Sequence, residues 1–367
     1  MKKIAHIQVI PKLSGVQQVS LDILSNINGY EKYIIFGGEY SPDELLLKKC
    51  IHNNIKVVYV KNLKREISIR DFNAFLELYK LFKIEKFDIV HTNSTKPGIV
   101  ARIAARIAGV NRVVHTIHGI SYHRFERIEK RLVYFIIEYF SSLFSHYLVS
   151  VNSYYLKYYP LIKNKTVIYN AIDSSQFNIK KERKYNNDVL KVGYLSRLDY
   201  QKDPLTLLKA IKIGMDRNCI NNIRFIVGGD GELMDECLTY CKENDLLEVV
   251  DFQGWIENKS EFYSNIDVLC LPSIFEAFGL VFLEAGLHYV PSIATNVEGI
   301  PEVVLGQESG ILVNPKDSNA ILDAIMSYHN DRKLLRAHAL KANEIAKDKF
   351  SLLNMVDSYK LIYEGGN

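Results

Sequence analysis

The chain has 367 residues, 48% of them hydrophobic, and a formal net charge of +4 at pH 7. This length is too great for one ordinary core and is typical of two domains. No run approaches the roughly 20 apolar residues that cross a bilayer, the start MKKIAHIQVI is too polar for a secretory signal, and the five cysteines lack the spacing of a disulfide framework. We therefore expect a cytoplasmic protein, not a membrane-spanning or secreted one.

The two halves of the chain differ in charge. Residues 1–170 contain 25 Lys and Arg against 13 Asp and Glu, a net of +12, whereas residues 171–367 contain 21 against 29, a net of −8. Two interpretations stay open: solvated surfaces simply vary in sign, or the first half faces an anionic partner.

Apolar strand-like runs alternate with amphipathic helical runs across residues 1–172, as in the βαβ units of a parallel sheet. The strands predicted there are KIAHIQVI, YEKYIIFGG, NIKVVYV, FDIVHTN, RVVHTIHG, HYLVSVN and KTVIYNA. Charged residues and Asn replace this rhythm at residues 173–189, which predicts a linker. The rhythm returns across residues 190–348, where the strands are LKVGYLSRLD, IRFIVGGDG, VVDFQGW, DVLCLPS, PSIATN and GILVNP, and a last helix follows in residues 349–367.

This order predicts the α/β fold class, with two Rossmann-like, doubly wound domains in tandem. Ligands of such sheets bind at the carboxyl ends of the strands. Two such domains that face each other would form a cleft, and candidate site residues are therefore sought directly after the strands.

Several polar residues follow strands of the first domain. Gly15, after Ser14, lies between the first strand and the first helix, where helix N–H groups commonly meet a phosphate. His91, Ser94 and Lys96 lie around the end of another strand and are weaker candidates for contacts with an acceptor substrate.

His118 and Asn170 are two further candidates in this domain. His118 ends a strand beside Gly119, and strand alternation separates it from His115. An isolated His is usually structural, but its place at a strand end favours a functional role. Asn170 lies at the junction between the domains and is a weaker candidate for acceptor contacts.

Residues 122–165 mix basic and aromatic side chains on a predicted amphipathic helix. The basic residues are Arg124, Arg127, Lys130 and Arg131, and the aromatic ones include Phe125, Tyr134, Phe135 and Tyr139. This mixture suits an anionic membrane surface, and it also fits an ordinary helix that covers a sheet with a solvated basic face. Single-stranded nucleic acid shares the composition but is the least favoured partner, and we expect no nucleic acid.

In the second domain, two cations and a glycine-rich turn follow strands. Arg197 and Lys202 share one loop, where a guanidinium and an ammonium suit a diphosphate; surface ion pairs are the alternative. Gly229, in GGDGE, allows close approach of a ligand to the backbone or simply makes a tight turn. Trp255 follows Gly254 at the end of a third strand, where a flat base could lie.

The stretch SIFEAFGLVFLEAG places Glu276 in a turn after a buried strand and Glu284 within the following helix. Ionised carboxylates accept hydrogen bonds from sugar hydroxyls. The N–H groups of Phe278, Gly279 and Leu280 open the helix and suit an anion or hydroxyls. Alternatively, Glu276 is a carboxylate at the helix start that the helix dipole stabilises, and Glu284 belongs to an ion pair.

Taken in order, these motifs resemble the retaining GT-B glycosyltransferases of family 4, the glycosyl transferases group 1. The resemblance covers almost the whole chain and rests on the glycine loop after the first strand, TIHG, YNAID, GYLSRLDYQKDP, GGDGE, FEAFGLVFLEAG and the last helix. The family's pair of glutamates eight positions apart matches Glu276 and Glu284. In this family the last helix crosses back onto the first domain.

The resemblance implies a role for each matched residue. Glu276 and His118 match catalytic positions at the donor sugar, and Arg197, Lys202 and Gly15 match the positions that bind the donor diphosphate. One departure is Asp203, which follows Lys202 where the family often has Gly.

The nucleotide and the sugar hydroxyls have their own matched positions. Glu284 matches the carboxylate that holds the ribose, and we place Gly229 and Trp255 beside it at the nucleotide. Phe278, Gly279 and Leu280 match the backbone segment that binds the donor sugar.

The implied reaction transfers a hexose or N-acetylhexosamine, with retention, from a nucleotide diphosphate sugar, UDP-linked by family frequency, to a hydroxyl. The charge split favours a lipid-linked saccharide acceptor of bacterial capsule, O-antigen or exopolysaccharide synthesis, with the enzyme peripheral at the cytoplasmic face of the plasma membrane. No DxD-type pair follows a strand, so neither a metal nor another cofactor is expected. Two alternatives stay open, a GT-B nucleotide-sugar epimerase and a non-catalytic scaffold that binds nucleotide sugar.

Overall fold

The computed structural model describes residues 1–64, 70–93, 95–122, 126–179, 185 and 188–366, with the backbone alone for residues 70 and 95–97. The chain divides into two compact units. One comprises Met1–Asn170 together with Leu352–Asn367, and the other comprises Ala171–Ser351.

The first unit is built on a parallel sheet. Its strands among the described residues are β1 (Lys2–Ile7), β2 (Tyr30–Gly37), β3 (Ile55–Val60), β4 (Ile89–Asn93), β5 (Arg112–Ile117), β6 (Tyr147–Ser150) and β7 (Lys165–Val167). They pair in the order β3-β2-β1-β4-β5-β6-β7. This order reverses direction after β1, which is the doubly wound arrangement.

Helices connect these strands. They are α1 (Gly15–Asn26), α2 (Glu44–His52), α3 (Arg70–Glu85), α4 (Thr95–Ala108), α5 (Ile128–Ser142) and α6 (Ser153–Leu156). The core lies between the sheet and its helices, and Ile7, Ile35 and Val90 of the strands pack with Leu78 and Phe82 of α3. Since inner strands such as β4 and β6 are buried along their whole length, they appear in the sequence as continuous apolar runs.

The second unit repeats this plan. Its strands are β8 (Leu190–Leu195), β9 (Ile223–Gly228), β10 (Val250–Gly254), β11 (Val268–Leu271), β12 (Ser292–Thr295) and β13 (Gly310–Val313), in the parallel order β10-β9-β8-β11-β12-β13. Its helices are α7 (Pro204–Asp216), α8 (Met234–Glu243), α9 (Lys259–Asn265), α10 (Leu280–Leu287), α11 (Ile300–Val303), α12 (Ser318–Asn330) and α13 (Arg332–Asp348).

The last helix, α14 (Leu352–Glu364), belongs to the first unit. Its Tyr363 hydroxyl lies 2.6 Å from His91 Nδ1 and 3.1 Å from His6 Nε2, and its Tyr359 hydroxyl lies 3.0 Å from Thr116 Oγ1. These residues are buried. A buried polar cluster therefore fixes the end of the chain to the strands β1, β4 and β5.

The two doubly wound α/β folds predicted from the sequence are confirmed, and each predicted run overlaps one of the described strands. Part of the predicted linker at residues 173–189 lies outside the described residues. Its described part packs within the second unit, where the Tyr185 hydroxyl donates to the carbonyl of Tyr289 at 2.6 Å. Within the part of the chain that the structure describes, no helix combines the length and apolarity needed to cross a bilayer.

Candidate functional site

Lys202 and Glu276 form an ion pair in the second unit. Lys202 lies in the loop after β8, Glu276 lies in the loop after β11, and the Lys202 ammonium contacts Glu276 Oε2. Both side chains are 12% exposed. Gln201 joins the same two loops, because its carbonyl accepts from the N–H of Ile274 and its side chain donates to the carbonyl of Phe275. The two loops therefore present one charged pair in place of two separate groups.

Asp203 explains the departure from the family pattern. Its backbone lies in the left-handed region, at φ 48° and ψ 56°, where Gly is favoured and Asp is tolerated. Its carboxylate accepts from the Thr206 hydroxyl at 2.6 Å at the start of α7. The position therefore requires a left-handed residue, and the carboxylate that Asp brings is held by its own helix.

Arg197 has a more exposed position than Lys202. Its side chain is 61% exposed and lies 2.9 Å from the Asp199 carboxylate and 3.3 Å from the Gln201 side-chain oxygen. Surface ion pairs were the alternative to diphosphate binding for Arg197, and its contact with Asp199 is such a pair. The exposed guanidinium nevertheless remains accessible to an anionic ligand, in the same loop as Lys202.

Glu284 lies on α10 and is held by two side chains of α9. Lys259 Nζ lies 2.8 Å from Glu284 Oε1, and the Tyr263 hydroxyl donates to Glu284 Oε2 at 2.9 Å. His288 stacks on the Tyr263 ring, with 5.2 Å between the ring centroids. Burial and the neighbouring carboxylate raise the pKa of Tyr263, so its hydroxyl stays protonated and donates to Glu284.

Sequence reasoning missed Lys259 and Tyr263. Their spacing of four residues places both on one face of a helix, which was the available signal. It did not identify Glu284 as the partner, because Glu284 is 25 and 21 positions away.

Phe278, Gly279 and Leu280 lie at the start of α10. Gly279 is its N-cap in the left-handed region, at φ 81°, and no side chain among the described residues caps the helix. A Cβ at Gly279 would lie 2.6 Å from the Phe282 ring. Phe278 is buried against Phe350, with 5.4 Å between ring centroids. The side chain of Phe278 therefore serves the core, and the segment offers a ligand its backbone.

Gly229 and Trp255 follow neighbouring strands. The Gly229 N–H donates to the carbonyl of Gly254 at 2.7 Å, which ties the ends of β9 and β10 together. Trp255 is 74% exposed and lines an open groove of about 690 Å³ that runs to Asn258 and Glu261 at the start of α9. This volume lies in the range of small-molecule sites.

Replacing Gly229 by Ala is expected to destabilise the second unit strongly. Its φ is +123°, and a Cβ there would lie 1.8 Å from the carbonyl oxygen of Ser196, so the loop after β8 must move. We expect a loss of about 2 kcal/mol or more in the free energy of unfolding, measured by chemical denaturation. Gly109→Ala is the control, because Gly109 also has a positive φ but nothing lies within 4 Å of its Cβ position. Equal losses in the two variants would contradict the steric argument.

In the first unit, Gly15 is the first residue of α1 and is exposed, as is Ser14. The Ser14 hydroxyl contacts the side chain of Gln17, and no side-chain cap is made at the start of the helix. The helix N-terminus after β1 therefore lies at the surface, and a phosphate contact at Gly15 stays a prediction.

His118 follows β5 and is half-buried. Its Nε2 lies 3.1 Å from the side-chain oxygen of Asn93, at the end of the adjacent strand β4. Burial lowers its pKa to about 3, so the ring is neutral near pH 7. With Nε2 donating to Asn93, Nδ1 is the acceptor nitrogen, and His118 suits a hydrogen-bonding role more than a charged one.

The remaining predicted residues of the first unit have different positions. His91 is fully buried, with its nitrogens bonded to Tyr363 and to Thr116 at 2.7 Å, which assigns it a structural role. Ser94 lies outside the described residues, as does the side chain of Lys96. Asn170 is buried, and its Oδ1 has no hydrogen-bond partner among the described residues.

Chemically, the loops of the second unit combine cations with carboxylates at strand ends. Lys202 and Arg197 suit a diphosphate, while Glu276 and Glu284 suit hydroxyls. No group of three or more His, Cys, Asp or Glu side chains that could hold a metal ion occurs among the described residues.

Two family profiles match the chain. The profile described as glycosyl transferases group 1 matches residues 175–346, and the one described as glycosyl transferase 4-like matches residues 41–152. The first contains the loops of Lys202 and Glu276 and the helix α10 that carries Glu284.

Individual proteins are similar over nearly the whole length. The Escherichia coli UDP-Gal:alpha-D-GlcNAc-diphosphoundecaprenol alpha-1,3-galactosyltransferase is 31% identical over 384 residues, covering 98% of this chain and 96% of that protein. The Staphylococcus aureus capsular polysaccharide biosynthesis glycosyltransferase CapM is 26% identical, covering 95% and 93%. The crystal structure of Anabaena HepE with UDP and glucose has a TM-score of 0.83 at 19% identity and covers all of both chains.

Proposed function

The chain belongs to the glycosyl transferases group 1 family and is a GT-B glycosyltransferase, and we propose that it moves a hexose or N-acetylhexosamine, with retention, from a UDP-linked donor to a lipid-linked saccharide. The observation that carries this proposal is the pairing of Lys202 with Glu276 on two loops at strand ends. In a sugar diphosphate, the cation suits the anionic leaving group, and the carboxylate suits the hydroxyls of the sugar ring.

The proposed mechanism stabilises the charge of the leaving nucleoside diphosphate. Lys202, the exposed Arg197 and the first N–H groups of α10 are the donors for this role, in place of a metal ion. Glu276 exchanges its contact with Lys202 for hydroxyls of the donor sugar, orients the ring and supports the positive charge that develops at the anomeric carbon. The acceptor hydroxyl oxygen bonds to the anomeric carbon on the face from which the diphosphate leaves, the bond from that carbon to the diphosphate oxygen breaks, and the hydroxyl proton passes to the departing diphosphate.

Glu284 is the proposed ribose acceptor. Tyr263 donates to one of its oxygens, and Lys259, whose side chain is 48% exposed, contacts the other. Tyr263 is a positioning residue, because its buried hydroxyl fixes the carboxylate. The exposed Lys259 moves away from Glu284 Oε1, which then accepts a hydrogen bond from the ribose. The base binds in the groove beside Trp255. His118 of the first unit is proposed as a neutral hydrogen-bonding group for a substrate.

The proposed acceptor is a saccharide on a lipid diphosphate, as in the synthesis of capsule, O-antigen or exopolysaccharide. The names of the Escherichia coli and Staphylococcus aureus relatives support this class. UDP-galactose and N-acetylglucosaminyl-diphosphoundecaprenol are therefore the first donor and acceptor to test. The net charge of +12 on residues 1–170 supports peripheral action at the cytoplasmic face of the plasma membrane.

A panel of nucleotide sugars in a thermal-shift assay is expected to identify the donor. A ligand at a hundred times its Kd stabilises the folded protein by about 2.7 kcal/mol, so the true donor raises the Tm while sugars on other bases do not. Glu284→Gln is expected to weaken this shift, because the ribose loses its charged acceptor. No shift with any nucleotide sugar would contradict the proposal.

Transfer is then measured with the donor so found and the lipid-linked acceptor. Appearance of a lengthened saccharide supports the glycosyl transfer, and the anomeric configuration of the new linkage tests retention. Conversion of the donor in the absence of any acceptor would indicate an epimerase instead. Donor binding without turnover on any lipid-linked acceptor would favour a scaffold. Full activity after exhaustive chelation is expected for a metal-independent enzyme.

A further inference from the structure

Helix α5 exposes a continuous apolar stripe. Ile128, Leu132, Ile136 and Phe140 recur every four residues and are 75%, 61%, 56% and 61% exposed, and Val133 and Leu143 lie beside them on the same face. Residues four apart line one side of a helix. Isolated exposed apolar residues are normal, whereas a contiguous patch of this kind marks a contact surface.

The opposite face of α5 holds the helix in this orientation. Glu138 is buried and lies 2.7 Å from a guanidinium nitrogen of Arg102 on α4, which also donates to the Ser141 hydroxyl at 2.7 Å. His115 of β5 lies 3.5 Å from the same carboxylate. Rotation of α5 to bury the stripe would expose or unpair this charged group, which is costly. The apolar face is therefore fixed toward solvent.

Basic residues flank the stripe. Arg127 and Lys130 are 75% and 56% exposed, and the sequence holds no Asp or Glu between Glu138 and Asp173 while it holds three lysines there. Two acids lie near these cations: the Glu129 carboxylate is 3.6 Å from Arg127 Nε, and the less exposed Glu126 carboxylate is 3.9 Å from Lys130 Nζ. An apolar stripe with cations along its edge is complementary to a bilayer that has anionic headgroups and an acyl-chain interior.

The segment beside α5 adds to this surface. Tyr139 of α5 stacks on Tyr159, with 6.1 Å between centroids, so the turn after α6 lies next to the helix. This turn carries Leu161, 77% exposed, and Lys157, whose ammonium lies 3.2 Å from the centre of the Tyr154 ring. Leu, Lys and Tyr together are typical of side chains at a lipid–water boundary.

We propose that the α5 stripe is a docking surface for an anionic lipid bilayer. The helix lies in the plane of the interface, with Leu132, Ile136 and Phe140 among the acyl chains and Arg127 and Lys130 at the headgroups. Its 15 residues extend over about 22 Å. The proposal deepens the proposed function, since the choice of a lipid surface over a protein partner rests in part on a lipid-linked acceptor.

The test compares binding of the full chain to two kinds of vesicle, phosphatidylcholine alone and phosphatidylcholine with phosphatidylglycerol in equal parts, by co-sedimentation. The stripe variant combines Leu132→Gln, Ile136→Gln and Phe140→Gln, because Gln keeps helix propensity. The matched control combines Ile51→Gln, Ile84→Gln and Ile107→Gln, three apolar residues of the same unit that are 75%, 75% and 55% exposed. A charge variant combines Arg127→Gln with Lys130→Gln.

We expect wild type and control to bind the anionic vesicles alike and to release at high salt. The stripe variant binds at least tenfold more weakly, and the charge variant loses about fivefold per charge. Equal binding of the stripe variant and the control, or no binding of wild type to the anionic vesicles, overturns the proposal. Self-association of wild type that the stripe variant abolishes, with vesicle binding unchanged, identifies a second copy as the occupant and also overturns it.

Donor binding separates this proposal from the proposed function. The stripe variant is expected to keep the thermal shift of wild type with the nucleotide-sugar donor, which also shows that it is folded. Vesicle binding without any donor shift would contradict the proposed transferase function and leave the membrane-docking proposal in place. A donor shift without vesicle binding would contradict the membrane-docking proposal and leave the proposed transferase function in place.

Discussion

Lowering the pH from 7 to 5 is expected to reduce the free energy of unfolding of the first unit by about 4 kcal/mol from two histidines alone. Burial, together with the nearby His118, lowers the pKa of His6 to about 3, and burial lowers that of His118 to about 3. In the unfolded chain each ring takes up a proton below about pH 6.5. Each ring that stays neutral in the fold therefore costs about 2 kcal/mol at pH 5.

The sign follows from which state binds the protons. Above about pH 6.5 neither state is protonated at these rings, so the histidines have no effect on stability. Below about pH 6.5 these rings are protonated in the unfolded chain but not in the folded chain. The free energy of unfolding therefore decreases as the pH is lowered, until the folded rings also become protonated near pH 3. Burial also lowers the pKa of His91 and His115, so both add to the loss in the same direction.

Urea denaturation at pH 7 and at pH 5 measures the effect. His118→Asn removes one of the rings and keeps a polar group near Asn93, so it is expected to reduce the pH dependence by about one proton. His52→Asn is the control, because His52 is exposed at the end of α2. Identical pH dependence in wild type and His118→Asn would show that the fold does not lower the pKa of His118.

The sheets and most strand-end loops were predictable from the sequence because both rest on local pattern. A parallel strand that is buried on both faces is a continuous apolar run, and the residues after it lie at the ligand-binding edge. The loops of Lys202 and Glu276, and the helix that carries Glu284, were located in this way. Local pattern does not predict contacts between distant segments of the chain. The sequence therefore did not show that Lys202 is the partner of Glu276.

The errors and omissions have the same cause. His91 was placed among the acceptor contacts because it ends a strand, but the helix α14 that covers it lies more than 260 positions later in the chain. Lys259 and Tyr263 were overlooked because an i, i+4 pair on a short helix is common. For α5, the basic and aromatic composition was visible, yet the exposure of Leu132 and Phe140 depends on the buried contact of Glu138 with Arg102.

Lys202→Met is expected to lower kcat at least a hundredfold, because the leaving diphosphate loses a preorganised cation. The structure adds a second consequence. The partner Glu276 is buried with a side chain 12% exposed, so the variant leaves its charge unpaired and loses about 3 kcal/mol of stability. Glu276→Gln is expected to reduce kcat by a similar factor, since the donor sugar loses its charged acceptor. Loss of activity in either single variant is therefore ambiguous, because part of it reflects a weakened fold.

The double variant Lys202→Met with Glu276→Gln separates the two effects. Replacing both partners of a buried ion pair by neutral groups is often close to neutral for stability, so we expect the double variant to recover most of the lost free energy of unfolding. Activity is not expected to return, because both the cation and the carboxylate are absent. Urea denaturation and initial rates of transfer, measured on all three variants, give the comparison.

Lys212→Met is the matched control for this series. Lys212 contacts Asp216 on the exposed side of α7, four residues away in the same unit, and exposed pairs of this kind contribute about 0.5 kcal/mol or less. Rates and stability close to wild type are therefore expected for it. If the double variant regained transfer along with stability, Lys202 and Glu276 would be a structural pair and the donor site would lie elsewhere. If it regained stability alone, the chemistry would depend on the charges themselves, because the fold that holds them would be intact.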